Sequence, residues 1–336
     1  MSPEPMPDTQ PATMRAIVQT AYGKTGNLEL RTVPRPTVGD GEVLVRVHAT
    51  GFNDADWSLI RGKPFFVRLF GGVRGHRGRI LGADVAGEVV AVGPGVTRFS
   101  RGDRVFGDLS EHGNGGFAEY LSTSEQAFTR IPDGLSYVDA AALPHAGNLA
   151  MQSLFDIGQL KPEHRLLVNG AGGGVGPLIA QLATHHGVRD IVGVDNADKQ
   201  DFLREVGFAR TLDYRAVDFT RSGEQFDVIV DTRLTRSPFS LPRALAPGGV
   251  YATVGATTSS LLGLALWGRL ISRRSGKQVR MLWLKYNKST PEVAELAASG
   301  VLKPLIDTVY PLADTALAMA RFDASEHRGK IVIGVV

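Results

Sequence analysis

Five glycines in seven residues, Gly170-Ala171-Gly172-Gly173-Gly174-Val175-Gly176, separate two apolar patterns of different period. Before them Leu166 to Val168 is a short unbroken apolar run, the signature of a buried strand. After them Val175, Leu178, Ile179 and Leu182 recur at helical spacing. Few folds accept a strand, a glycine cluster and a helix in immediate succession. The arrangement is the opening of a βαβ unit that takes a dinucleotide. Glycine there lets the backbone approach a pyrophosphate and the helix start against the strand. The helix N-terminus adds unpaired N–H groups and the positive end of its dipole.

The sequence continues in the same rhythm. Ile191 to Val194 reads as the second strand and ends in Asp195, nineteen positions after Gly176. A carboxylate there is placed to bind the adenosine ribose hydroxyls. Asp201 to Val206 reads as a helix stopped by Gly207, and Phe226 to Val230 and Gly249 to Val254 as further strands. Residues 14 to 135 have a different texture. Met14 to Gln19, Leu28 to Thr32, Glu42 to Ala49 and Gly82 to Val96 are short β-rich segments between Gly, Pro and Asp clusters.

The chain has 336 residues, enough for two domains, with 43% apolar and 21% charged residues, an ordinary globular balance. A net charge of +3 argues against a nucleic-acid binder. The longest apolar stretch, Leu261 to Ile271, is too short to span a bilayer and carries Arg269. Met1 to Thr13 is Pro-rich without a secretion signal, so a disordered tail on a cytoplasmic protein is expected. There is no cysteine, which excludes disulfides and Cys-ligated zinc. None of the eight histidines has metal-motif spacing, so no metal site is expected.

Several motifs stand in a characteristic order: Gly51-Phe52-Asn53-Asp54-Ala55-Asp56, Gly82-Ala83-Asp84-Val85-Ala86-Gly87-Glu88-Val89, Gly102-Asp103-Arg104-Val105, Gly116-Phe117-Ala118-Glu119-Tyr120, the Asn169-to-Gly176 turn and Gly329-Lys330-Ile331-Val332. With them the chain, from Met14 to Val336, resembles the zinc-independent, quinone-oxidoreductase-like branch of the medium-chain dehydrogenases/reductases. Zinc-dependent relatives carry Cys where Asn53 to Asp54 stand and His-Glu where Ala83-Asp84 stand. The resemblance implies an α/β chain with a GroES-like β-rich catalytic domain, a Rossmann domain with a doubly wound parallel sheet, a cleft between them and a homodimer. The expected layout is a tail at 1–13, the catalytic domain at 14–135 and 286–336, and the Rossmann domain at 136–285.

The same resemblance assigns Gly170, Gly173, Gly174, Val175 and Gly176 to the pyrophosphate turn and Asn53 to the nicotinamide side of the cleft. At the cofactor loop Asp195-Asn196-Ala197-Asp198-Lys199, two acids favour NAD(H), while Lys199 leaves NADP(H) open. Two departures from the family pattern bear on the site. Relatives read Pro-Val-Ala-Gly-Leu-Thr-Ala where this chain has Pro144-His145-Ala146-Gly147-Asn148-Leu149-Ala150, so Leu149 replaces a nicotinamide-contacting Thr. His145 becomes a proton-donor candidate beside Asn53, with Asn148 as a polar neighbour. After Asp231-Thr232 relatives continue with an apolar residue and Gly, whereas Arg233-Leu234 stands here, with Thr232 a candidate cofactor contact and Arg233 a candidate binder of a phosphate or an acidic substrate.

Two stretches are basic. Residues 57 to 82 interleave Arg61, Lys63, Arg68, Arg74, Arg77 and Arg79 with Trp57, Phe65, Phe66 and Phe70. Residues 232 to 291 hold no acid. Aromatics suit a flat apolar acceptor and cations an anionic one, so Trp57, Phe65 and Phe66 are expected at the substrate. The apolar run Leu261 to Ile271 is expected as a lid or a dimer contact, with a contact to a membrane surface the less favoured alternative. The function expected is NAD(P)H-dependent hydride transfer to an activated C=C bond or a quinone. A metal-free alcohol or aldehyde oxidoreductase, a nucleotide-binding protein without turnover, and a redox-neutral tailoring enzyme are the alternatives.

Overall fold

The computed structural model describes residues 11–23, 25–63, 68, 78–255 and 258–336. Among the described residues the N-terminal part is mostly strand, with the helix Asp54–Arg61 after the third: β1 (Thr13–Gln19), β2 (Leu28–Pro34), β3 (Glu42–Gly51), β4 (Arg79–Ile80), β5 (Asp84–Val92), β6 (Arg104–Asp108), β7 (Tyr120–Ser124) and β8 (Thr129–Arg130). β9 (Arg165–Asn169), β10 (Asp190–Asp195), β11 (Arg210–Asp213), β12 (Phe226–Asp231), β13 (Leu245–Thr253) and β14 (Gln278–Met281) follow, alternating mostly with helices. The chain closes with β15 (Ile306–Pro311) and β16 (Lys330–Gly334).

β9 to β14 form one six-stranded sheet in the order β11-β10-β9-β12-β13-β14, parallel throughout. Leu166, Leu167 and Val168 of β9 are all at 0% exposure. A central parallel strand is covered on both faces, which is why its sequence is an unbroken apolar run. Strand order reverses between β9 and β12, so a crevice opens at their carboxyl ends, where open α/β sheets bind ligands. At that edge Asn169 Nδ2 donates to Asp231 Oδ1 at 2.8 Å.

The second large sheet has seven strands. Its main path is β15-β16-β3-β5-β6-β8, with β7 paired to β3. β16 returns antiparallel to β3, pairing Val332 with Gly51, and Phe52 N–H donates to Ile331 O at 3.0 Å. This return brings the last residues of the chain onto the first domain and sets Lys330 beside Gly51 to Asn53. Gly51 is needed there, since a Cβ would lie 2.3 Å from Ala141 O and 3.1 Å from Lys330 Cε.

One placement differs from the sequence reading, and two helix contacts add to it. Thr13, assigned to the tail, begins β1; residues 1–10 lie outside the described residues. The helix Thr290–Ala298 packs on the helix Pro144–Met151, with Val293 filling the space a Cβ on Gly147 would need. The run Leu261 to Ile271 lies within a helix, Thr258–Ser275, whose buried face (Leu264, Ile271) joins Val279 of β14 in the core.

Candidate active site

A cleft of about 860 Å³ lies where the two sheets meet, lined by Asn53, His145, Leu149, the glycine turn, Asp195, Arg233 and Lys330 among others. On the parallel-sheet side, the turn is held by its neighbours. Gly170 has φ +76°, and a Cβ on it would reach Thr232 Oγ1 at 2.1 Å. Thr232 Oγ1 donates to Asn169 O at 3.1 Å, pinning the next loop onto the turn. The nearest atom to a Cβ on Gly173 is 3.7 Å away, and Gly173 and Gly174 line the cleft. Side chains there would fill the very space a phosphate needs. The turn thus fits a dinucleotide by its own shape and by the helix Gly176–His185 that starts behind it. Gly176 and Asn148 do not line the cleft. A Cβ on Gly176 would stand 2.0 Å from Ala171 O, so this glycine serves helix packing.

Asp195 closes the turn from β10. Its Oδ2 accepts from Gly172 N–H at 2.8 Å and its Oδ1 from Asn196 N–H at 2.9 Å, with Lys199 Nζ 3.9 Å away. Lys199 is 5% exposed, and burial, with Arg233 and Arg328 nearby, outweighs the attraction of Asp195 and lowers its pKa. Arg233 reaches across the cleft, donating from Nη2 to Ser325 Oγ at 3.1 Å. His327 stacks on Phe322 at 4.8 Å, and its buried Nδ1 has no partner. Burial, with Lys199 and Arg233, pushes its pKa down to about 4, so it is neutral at this basic end of the cleft.

The other wall is organised around one buried carboxylate that the sequence reading did not single out. Asp84 Oδ2 accepts from Lys330 Nζ and from Asn53 Nδ2, each at 3.0 Å. Its Oδ1 accepts from the backbone N–H of His145 at 2.9 Å. Lys330 Nζ also donates to Asn53 Oδ1 at 2.5 Å. Asp84 therefore holds the lysine with one oxygen and the start of the histidine's helix with the other. Lys330 and Asn53 are 4% and 5% exposed, and both line the cleft.

His145 is fixed from a third side. Its Nδ1 lies 2.7 Å from Asp108 Oδ2, while Asp108 also accepts from Ser110 N–H at 2.9 Å. A carboxylate accepts only, so Nδ1 carries the proton and Nε2 is left for the cleft. Burial opposes a charged imidazole here, but the Asp108 charge and hydrogen bond prevail and hold the His145 pKa above the ordinary histidine value.

Asp56 sits behind this cluster and accepts the Asn53 backbone N–H at 3.0 Å, capping the helix Asp54–Arg61. Burial first, and then the Asp84 charge, push its pKa up to about 7. Its folded form thus holds a proton that the unfolded chain has already released, and stability contributed by that proton is lost as pH rises toward 7. Relative to wild type, Asp56→Asn gains on the order of 3 kcal/mol of stability between about pH 5 and pH 8. Urea unfolding at both pH values measures this; parallel changes in the two proteins contradict it.

Of the residues expected at the site, Asn53, His145, Gly170, Gly173, Gly174, Val175, Asp195, Lys199, Thr232 and Arg233 line one cleft. Trp57 does not. It is buried in the core of the strand-rich domain beneath the Arg61 guanidinium, 5.0 Å from its ring. Asn148 is fully buried and spent on structure. It donates to Pro144 O and to Thr290 Oγ1, each at 2.8 Å, and so pins two helices together. Phe65 and Phe66 lie outside the described residues. Leu149 lines the cleft, so the polar contact a Thr would make there is replaced by apolar surface. Lys330, Asp84, Asp108 and His327 were missed. The only signal for Lys330 and Asp84 was their place in the Gly329-Lys330 and Gly82-Ala83-Asp84 motifs.

Comparison with known proteins agrees with this architecture. Residues 39–133 match the alcohol dehydrogenase GroES-like domain model, and residues 206–333 match the zinc-binding dehydrogenase model. The chain is 30% identical over 333 residues to a chloroplast envelope quinone oxidoreductase homolog of Arabidopsis thaliana, covering 95% of this chain and 98% of the relative. It is 28% identical to the 2-methylene-furan-3-one reductase of Solanum lycopersicum, over 96% of this chain and 79% of that one. The quinone oxidoreductase of Coxiella burnetii superposes with a TM-score of 0.87 over 96% of this chain and all of its own, at 24% identity, a likeness of fold.

Proposed function

The chain belongs to the quinone-oxidoreductase-like branch of the medium-chain dehydrogenases/reductases and is an NAD(P)H-dependent oxidoreductase; we propose that its cleft reduces an activated C=C bond or a quinone with His145 and Lys330 as its working groups. The observation that carries this reading is the shared clamp. Asp84 holds Lys330 and the His145 backbone with its two oxygens, in the same cleft the glycine turn lines.

NAD(P)H bound on the turn supplies the hydride. The residues then have to manage the negative charge that develops on the acceptor's oxygen, and deliver a proton. Lys330 Nζ has two of its three protons engaged, by Asn53 and Asp84, which leaves the third for an acceptor oxygen. Protonated His145, with Nδ1 tied to Asp108, gives its Nε2 proton and becomes neutral. Asn53 orients the lysine and does not need to touch the acceptor.

The donor set does not suit zinc. Lys330 Nζ sits between Asn53 and Asp84 and donates to both, and among the described residues no three His, Asp or Glu side chains group as metal ligands. The reduction proposed therefore runs through protein cations alone. The enzyme is further proposed to act from the cytoplasm as a homodimer on a conjugated, small-molecule acceptor. No helix among the described residues is long and apolar enough to cross a membrane.

For the cofactor, NAD(H) is favoured. A carboxylate at the end of β10, held at 2.8 Å by the turn's own N–H, accepts from ribose hydroxyls and repels a 2′-phosphate. Wild type should bind NADH more tightly than NADPH, and Asp195→Ser should weaken NADH while strengthening NADPH. Dissociation constants of both proteins for both cofactors test this. NADPH binding wild type at least as tightly as NADH is the contrary result.

A further inference from the structure

We propose that the outer face of the helix Thr258–Ser275 docks the enzyme on an anionic lipid bilayer. The helix buries Leu264 and Ile271 against the parallel sheet, and its opposite side is unexpectedly apolar. Leu262, Leu266 and Leu270, four residues apart and so on one face, are 59%, 72% and 38% exposed. Trp267 is 46% exposed on the flank of this row and meets Phe239, itself 59% exposed, at 6.0 Å. Arg269, Arg273 and Arg274 are exposed on the same helix and make no ion pair with a described residue. An apolar row with a Trp at its border and arginines free to extend past it is the make-up of a helix that lies in a headgroup layer.

Charge decides between a bilayer and a second copy of the chain. Residues 232 to 291, which include this helix, carry ten lysines and arginines and no carboxylate of their own; Arg236 and Lys288 are paired with Asp218 and Asp156, and the three arginines of the helix are not among the ion pairs. Two copies meeting through this face would set the same cations against each other about a two-fold axis. An anionic headgroup layer complements them. The strand that packs beside the helix, β14, runs directly into Leu282-Trp283-Leu284, which line the cleft, and Trp283 is 78% exposed. On the reading of the cleft given above, and resting on it, this surface would let a lipid-dissolved acceptor enter without crossing water. The docking itself stands without that reading.

The test is sedimentation of the full-length protein with vesicles of phosphatidylcholine alone or mixed with phosphatidylglycerol, alongside turnover on a water-soluble enone. Binding is expected to the mixed vesicles, to be weak on phosphatidylcholine alone and to fall with added salt. Arg269→Gln combined with Arg273→Gln should weaken it about thirty-fold, near five-fold per cation. Leu266→Ser should weaken it too, and all variants should keep wild-type turnover on the soluble enone, which shows that they fold. Failure to bind mixed vesicles, or variants that bind like wild type, overturns the proposal. So does a dimer in solution that Leu266→Ser dissociates, since the face would then belong to a second copy. Loss of enone turnover in wild type would count against the catalytic reading and leave the vesicle result intact.

Discussion

His145→Phe should lower turnover on a conjugated acceptor by about 10²- to 10⁴-fold, the usual worth of a positioned general acid, while cofactor affinity stays within a small factor. Phe keeps the ring volume against Ala146 and the cleft and removes the donor. The wild-type pH profile carries the second half of the prediction. Because Asp108 raises the His145 pKa against the effect of burial, the acid form persists above the ordinary histidine range, and turnover should fall only as pH passes that raised value. Asp108→Asn should move this fall to lower pH, because the negative partner is gone and the hydrogen bond is weaker. A structural role for His145 would change stability and leave the pH profile where it was. Steady-state kinetics of the three proteins across pH distinguish the two.

Lys330→Met has nearly as large an expected effect, about 10²- to 10³-fold in turnover, the range found when one preorganised oxyanion donor is removed. It carries a complication that the structure makes explicit. Asp84 is fully buried, and losing its lysine leaves a carboxylate without compensation, a change that typically costs 3–5 kcal/mol (about that order) in stability. The double variant Lys330→Met, Asp84→Asn removes the charge pair together and should recover much of that stability. Turnover should stay low in both. Thermal unfolding and kinetics on the same preparations separate the roles. If the double variant turns over like wild type, the lysine is only the partner of a buried acid.

The parts of this molecule that sequence could show are the local ones. The glycine turn, the strand before it and the helix after it are continuous in the chain, and period and composition alone define them. Asp195 was legible for the same reason, since its distance along the βαβ unit fixes its place at the end of the second strand. The wall of the cleft that carries Lys330 is built otherwise. Lys330 meets Asp84 and Asn53 across 246 and 277 residues of sequence, so no local pattern marks the contact. It exists because β16 returns to pair with β3 and delivers its first side chain into the cleft. Trp57 and Asn148 failed in the opposite direction. An aromatic near cations and an amide near a histidine read as site residues, yet a buried ring under Arg61 and a helix-pinning amide have the same composition. His145 stands at the cleft as the sequence placed it, but the partner that orients its ring, Asp108 on a separate strand, was visible only in three dimensions.

The activity proposed for the cleft is hydride transfer from NAD(P)H to a conjugated acceptor without a metal. It is met most directly by mixing the purified protein with NADH and, separately, NADPH in the presence of a chelator, and following cofactor oxidation and product together across a panel of enones, enoyl thioesters and quinones. At least one acceptor should be reduced in one-to-one ratio with cofactor oxidised, unaffected by the chelator. Tight cofactor binding with no oxidation on any acceptor would contradict it, as would turnover that the chelator abolishes.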